Sequence, residues 1–343
     1  MKRRYKMSFA LALLGIAHIV VFFAGFFAPY SFSTQNRGLP YAPPMRVHFL
    51  DEQGRFHLRP FVYTFKNDSA GSGAYEVDRS PQYPLHFFVR GSSYKVFGLF
   101  EAQTHLFGVD PPARLFLLGT DEYGRDQFTR FLYGGQVSLA AGLIAAGLSL
   151  LLGIIIGALA GFYGGWIDEI LMRAGELFLA LPWLYLLFAV RAALPLHIAQ
   201  WQVFLLLLGV CGVIGWARPA RLIRGVVLSA KERNFVIAAR TFGGSDFYLL
   251  RRHVLPQTYG IILTQAALLI PQFILAEVTL TFLGLGVGAP MASWSGLISS
   301  LQHYYVLASY WWMFAPALLL IPIFAAYYAI ADELQEHLKS VPL

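Results

Sequence analysis

The sequence predicts an all-α polytopic membrane protein of about six transmembrane helices, with a small external β-rich insertion between the first two spans. Three observations predict it. Hydrophobic residues make up 57% of the 343 and charged ones only 13%, against roughly 45–50% apolar content in a soluble domain. Mean hydropathy is +0.56, and six apolar runs are long enough, or nearly so, to cross about 30 Å of hydrocarbon at 1.5 Å per residue. Between the first two runs the pattern changes to the period-two alternation of strands.

The basic start "MKRRYK" precedes "MSFALALLGIAHIVVFFAGFFA", residues 7–28. That run ends without a small-residue cleavage site, which predicts an uncleaved first span rather than a removed signal. The other five spans fall near 136–160, 167–190, 201–217, 258–283 and 310–331. Six spans put both termini on one side. Residues 218–252 hold Arg218, Arg221, Arg224, Lys231, Arg233, Arg240, Arg251 and Arg252 against Glu232 and Asp246. By the positive-inside rule this face, with both termini, is cytoplasmic.

Three divisions follow. Residues 1–30 are the N-terminus and first span, 31–117 an external module, and 118–343 a core domain with five spans and a cytoplasmic loop at about 218–257. In the module, "RVHFLDEQGRFHLRPFVYTF" and "YPLHFFVRGSSYKVFGLF" alternate around Gly54 and Gly91, which predicts β-hairpins there. In the core, Gly153, Gly157 and Gly161 share one helix face, where a neighbouring backbone can approach closely.

The chemistry absent from the chain is as informative. It has no G-x-x-x-x-G-K-[ST] phosphate loop, no G-x-S-x-G nucleophile elbow and no H-E-x-x-H spacing among its nine histidines. The only cysteine, Cys211, sits in an apolar run, so neither a disulfide nor a cysteine metal site is expected. "GLGVG", 284–288, reads as the turn leaving a membrane helix. No catalytic, cofactor-binding or metal-binding residue is expected. The net charge of +7 belongs to membrane orientation rather than nucleic-acid binding, since the basic residues adjoin apolar runs.

The most unusual stretch is "FVIAARTFGGSDFYLLRRHVLPQ", residues 235–257. Phe235, Ala238, Ala239 and Phe242 recur at i, i+3, i+4, i+7 of a helix. Gly243 and Gly244 break it, Ser245 or Asp246 can cap a second helix, and Pro256 prevents that helix from continuing in the same form. The pattern fits a groove in a partner protein and, equally, a helix lying on anionic lipid. Elsewhere, Glu277 is an intramembrane carboxylate, the candidate for a translocation path or for pairing within the bundle. Arg173 and Glu176 are spaced for a helix-surface ion pair. In "GTDEYGRD", 119–126, Thr120 or Asp121 can cap a helix whose Arg125 and Arg130 anchor at the outer interface.

"AARTFGGSDFYLLRRHVLP" resembles the EAA loop of ABC importer permeases, with Ala238, Ala239, Gly243, Leu255 and Pro256 at matching positions. "LGTDEYGRDQFTRFLYGGQVSLAAG" (118–142), "AGFYGGWIDEILMR" (160–173), "FLGLGV" (282–287) and "SWSGLI" (293–298) are similar to the oligopeptide and dipeptide permease subfamily. The resemblance covers about 118–338 and the first span. It departs at Ile237, where the family's loop usually has glutamate, and in the long module at 31–117. The resemblance implies the type I importer permease fold and a peptide importer in the inner membrane. This chain would pair there with a second permease subunit, two cytoplasmic ATP-binding subunits and an external peptide-binding protein. ATP and magnesium would be bound by the ATPases alone. The implied ATPase-docking residues are Phe235, Ala238, Ala239, Arg240, Gly243, Asp246, Leu255 and Pro256. Nickel complexes, glutathione or antimicrobial peptides are alternative substrates of related permeases. A self-sufficient secondary transporter would need a coupling-ion site built from intramembrane acids, for which only Glu277 is a clear candidate.

Overall fold

The computed structural model describes residues 2–67, 75–96, 99–193, 199–283, 286, 288 and 291–340. The chain falls into two compact units, one of residues 1–14, 139–280 and 323–343 and the other of 15–138 and 281–322.

In chain order the helices are α1 (Lys2–Phe22), α2 (Ala24–Phe27), α3 (Gln127–Tyr163), α4 (Gly165–Ala180), α5 (Trp183–Ala193), α6 (Gln200–Ile214) and α7 (Ala217–Lys231). They continue with α8 (Asn234–Thr241), α9 (Asp246–Leu249), α10 (Tyr259–Phe282), α11 (Trp294–Ser299), α12 (Tyr304–Ser309) and α13 (Ala315–Ser340). Among the described residues five helical stretches are long and apolar enough to cross a membrane: Tyr5–Phe22, Gln127–Tyr163, Trp201–Lys231, Asp246–Phe282 and Trp311–Leu338. The expected span at 167–190 is divided between α4 and α5. Pro182 causes the division, because the residue before a proline is driven out of the helical region, and Leu181 is extended at φ −73°, ψ 126°.

The glycine face of α3 packs within the first unit as the sequence predicts. A Cβ on Gly153 would lie 2.8 Å from the Pro219 side chain, one on Gly157 2.5 Å from the Ala220 carbonyl, and one on Gly161 2.9 Å from the Arg224 carbonyl. All three neighbours are on α7. Asp168 of α4 accepts two hydrogen bonds from the Arg224 guanidinium, a bidentate pair that fixes α4 against α7. Arg173 and Glu176 form the expected exposed pair at 3.2 Å.

In the second unit, strands β1 (His48–Leu50), β2 (Phe56–Asn67), β3 (Tyr75–Val96) and β4 (Phe100–Val109) form an antiparallel meander in that order. Its core is Met45, Val62, Leu85, Leu115 and Phe116. Gly54 lies in the β1–β2 turn at φ 75°, as expected. Gly91 does not turn the chain: it lies inside β3, where the register shifts between Arg90 and Tyr94. A Cβ at Gly91 would meet the His105 ring at 2.7 Å, so this glycine makes room for a buried cross-strand histidine.

"DEQGR", 51–55, and "DEYGR", 121–125, fold into the same turn. In each, one aspartate oxygen accepts from the backbone N–H groups two and four residues on, and the other accepts from the arginine Nε. Gly54 and Gly124 supply the positive φ, 75° and 68°, that a side chain would resist.

Two substitutions separate close packing from glycine content. Gly157→Leu should cost about 1–3 kcal/mol or more through overpacking. Gly147→Leu, with nothing within 4 Å of its Cβ, should stay within about 0.5 kcal/mol. Thermal unfolding of the two purified variants in detergent checks this.

Candidate coupling surface

α7 carries the loop. After Lys231 the chain turns at Glu232 and re-enters a helix at Asn234, with Arg233 extended at its N-cap. Val236, Leu249 and Val254 are buried and join Phe162, Ile223, Val227 and Ala230 in one apolar core. This core clamps the loop to α3 and α7.

The apolar stripe read from the periodicity faces outward. Phe242 is 91% exposed, Phe235 43% and Ile237 49%, with Ala238 also exposed. Phe247, 71% exposed, and Tyr248 extend the surface. Ala239 differs from its neighbours: it is half-buried and packs against the loop's core. Arg240 lies 5.7 Å over the Phe162 ring and 3.6 Å from Asp246, so it braces the two short helices while staying exposed.

The break between α8 and α9 is a glycine-capped helix end. The Gly244 N–H donates to the Ala239 carbonyl and the Gly243 N–H to the Arg240 carbonyl, each at 3.0 Å, the paired bonds of a Schellman motif. Gly243 takes φ 90°, and a Cβ at Gly244 would come within 2.8 Å of the Ala239 carbonyl. Ser245 then caps α9, accepting from the Tyr248 N–H at 3.4 Å.

Leu255 and Pro256 do not join this exposed surface. Both are half-buried in a 3-10 turn, Leu255–Thr258, which follows a π turn, Leu250–Val254. Pro256 thus changes the helix form, as expected, without ending it, because wider and tighter turns absorb the missing N–H. The helix runs from Asp246 to Phe282. Glu277 lies roughly 30 Å further along it, buried and engaged with a partner. By helical spacing it follows Ile270 and Ile274, which touch Gly142 of α3.

Sequence reasoning missed a cavity of about 270 Å³ in the first unit, lined by Phe178, Trp183, Leu269 and Phe273 with Arg218 and Gln272 as its polar groups. Glu277 does not line it. The break at Pro182 was its only sequence signal, since Leu181 and Trp183 both face it.

The "GTDEYGRD" segment forms an internal staple. Asp126, not Thr120 or Asp121, caps α3: one carboxylate oxygen accepts from the Thr129 N–H at 2.9 Å and its hydroxyl at 2.6 Å. Arg125 and Arg130 are buried beside Asp121, at 2.7 and 3.6 Å. Thr120 donates to the Leu39 carbonyl and accepts from the Ala42 N–H. Nearby, the Trp294 of "SWSGLI" is fully buried, stacks on Phe131 and donates to its carbonyl at 2.9 Å. Of "FLGLGV" and "GLGVG", positions 284, 285 and 287 lie outside the described residues.

A family model for the inner membrane component of binding-protein-dependent transport systems matches residues 153–340. The chain belongs to this family. Relatives of this inner membrane component include the dipeptide transport system permease protein DppC of Bacillus subtilis (strain 168), 39% identical over 229 residues, 66% of this chain and 69% of the relative. OppC, the oligopeptide transport system permease protein of the same organism, is 35% identical over 240 residues, 68% and 75% of the two chains. The glutathione transport system permease protein GsiD of Pectobacterium atrosepticum is 32% identical over 227 residues, 66% and 73%. The family match contains the whole loop from α7 to α10, whereas the β-sheet of this inner membrane component lies outside it.

Asp126 supplies a pH test of the staple. Burial raises its pKa to about 6, opposed by the Thr129 hydrogen bonds and reinforced by the Asp121 charge, and its second oxygen is buried without a hydrogen bond. The folded state therefore holds a proton that the unfolded chain releases near pH 4. That stabilisation is complete below about pH 4 and lost as pH rises through about 6. Asp126→Asn keeps the cap acceptor and removes the titration, so its Tm should fall less than wild type between pH 5 and pH 7.

Proposed function

We propose that the chain is the membrane-spanning permease subunit of an ATP-driven importer for peptides of the oligopeptide and dipeptide class. The observation that carries this is the exposed apolar surface of α8 and α9, Phe235, Ala238, Phe242 and Phe247, held on a buried core and continuous with α10. A solvent-facing aromatic cluster on a rigid support is what a partner's groove recognises. The names of the dipeptide and oligopeptide relatives support the substrate class.

In this reading the partners are a second permease subunit, two cytoplasmic ATP-binding subunits and an external peptide-binding protein. The ATPases hold ATP and magnesium and dock on Phe235, Ala238, Ala239, Arg240, Gly243 and Asp246. Leu255 and Pro256 connect that dock to α10. The chain lies in the inner membrane with both termini and the loop in the cytoplasm, where the basic residues of 218–252 favour them. ATP-driven closure of the ATPases then moves α8 and α9 as a rigid body, and α10 transmits the motion to the bundle, opening a central path to alternate sides. Glu277 acts on that path through the packing of α10 on α3, not as a direct contact of the cavity beside Arg218 and Gln272. With no phosphate loop in its sequence, the chain converts force into access and leaves hydrolysis to its partners.

A second substrate within the same mechanism is favoured by one observation, the glutathione permease relative; glutathione is itself a tripeptide.

Docking is tested with side chains whose loss leaves the fold intact. Ala238→Arg and Phe242→Asp alter exposed positions and should leave Tm within a few degrees of wild type. Each should abolish co-purification of a phosphate-loop ATPase with the tagged chain. ATPase retention in both well-folded variants, or solute movement by the purified chain alone, would refute the importer reading.

A further inference from the structure

The external module contains a cleft that docking and transport through the bundle leave unused. It has a volume of about 450 Å³ and is lined by segment 43–46, strand β1 with the turn after it, and strands β2 and β3, within the roughly 300–1,000 Å³ of small-ligand sites. Tyr63, Phe65 and Tyr75 line it, with Arg46, Arg79 and Glu52 as charged groups.

Tyr63 is the unusual member. It is only 6% exposed, and its hydroxyl is buried without a hydrogen-bond partner. Buried polar groups are almost always paired, and an orphan in a native structure calls for an explanation. The rim has opposite charges: Glu52 and Arg79 meet at 3.1 Å with both side chains more than half exposed. Such a surface pair is weak, so each partner can be exchanged for a ligand charge. Asp51 also lines the cleft but is committed, accepting from Arg55, His57 and two backbone N–H groups.

We propose that this cleft binds a short peptide with free termini, its carboxylate on Arg79 and Arg46, its ammonium on Glu52, and a backbone group on the Tyr63 hydroxyl. The aromatic walls accept varied side chains through apolar contact. A folded protein partner fits less well, because a stable interface buries about 800 Å² on each side, more than a cleft of this size offers. The proposal rests on the peptide-import reading and places a solute-collecting site on the module outside the family match.

The test uses the full chain in lipid nanodiscs, titrated calorimetrically with trialanine and with N-acetyl-trialanine amide. Trialanine should bind, and the blocked peptide at least ten-fold more weakly. Tyr63→Phe removes only the hydroxyl and should weaken trialanine about three- to ten-fold with Tm unchanged or raised. Arg79→Gln should weaken it about ten-fold. No binding at millimolar trialanine, equal binding of the blocked peptide, or indifference to both substitutions overturns the proposal. So does a Tyr63→Phe effect confined to docking of the external binding protein. Peptide uptake by the assembled transporter reports separately on import. Uptake that persists while trialanine fails to bind the isolated chain defeats the cleft alone; trialanine binding without an associated ATPase supports the cleft and defeats the import reading alone.

Discussion

Close contact between the Gly153, Gly157 and Gly161 face of α3 and the α7 backbone is the constraint on which the coupling surface depends. Two helices that approach this closely gain dense van der Waals contact along their shared length, each atom pair adding a little. Glycine permits that contact by removing the Cβ that would otherwise strike Ala220 or Arg224. The Asp168–Arg224 pair adds direction, linking α4 to the same turn of α7. With α7 seated, Val236, Leu249 and Val254 bury into the core it shares with Phe162, and the remaining face of α8 is left exposed among the described residues.

In the proposed coupling role a surface that transmits force must resist bending, and the local chemistry of 238–258 suits that role. The Schellman bonds at Gly243 and Gly244 close α8 without leaving its last carbonyls unpaired. Arg240 bridges Phe162 and Asp246, and Ser245 starts α9. The π and 3-10 turns then carry the helix past Pro256 into α10. A hinge at that proline would dissipate motion, whereas a helix continuous from Asp246 to Phe282 would pass it on in the proposed mechanism.

Much of this was legible in the sequence because the signals were local. Apolar runs, the glycine spacing, the Gly243–Gly244 break and the form change at Pro256 each depend on a few neighbouring residues. The exposed stripe was legible as a period, but Ala239 and the buried Val236 show that a period does not decide which face a short helix turns inward. The cap at Asp126, the strand position of Gly91 and the burial of Arg125 and Arg130 were not read for one reason: their partners, from His105 to Asp121, are chosen by tertiary packing. A glycine in a strand admits a neighbour's ring as readily as it makes a turn. Paired arginines lose the need for an interface once a buried carboxylate neutralises them. The cavity beside Arg218 and Gln272, built from five helices, has no linear pattern of its own.

The central claim, that the α8–α9 surface docks a cytoplasmic ATPase, is tested most directly by site-specific photo-cross-linking in cells. A photoreactive phenylalanine analogue at position 242 is compared with one at Leu58, 92% exposed on the β-sheet module. The expected result is a cross-link from 242, and none from 58, to a phosphate-loop ATPase. Cross-links from 242 to lipid alone would place the surface on the membrane and contradict the claim.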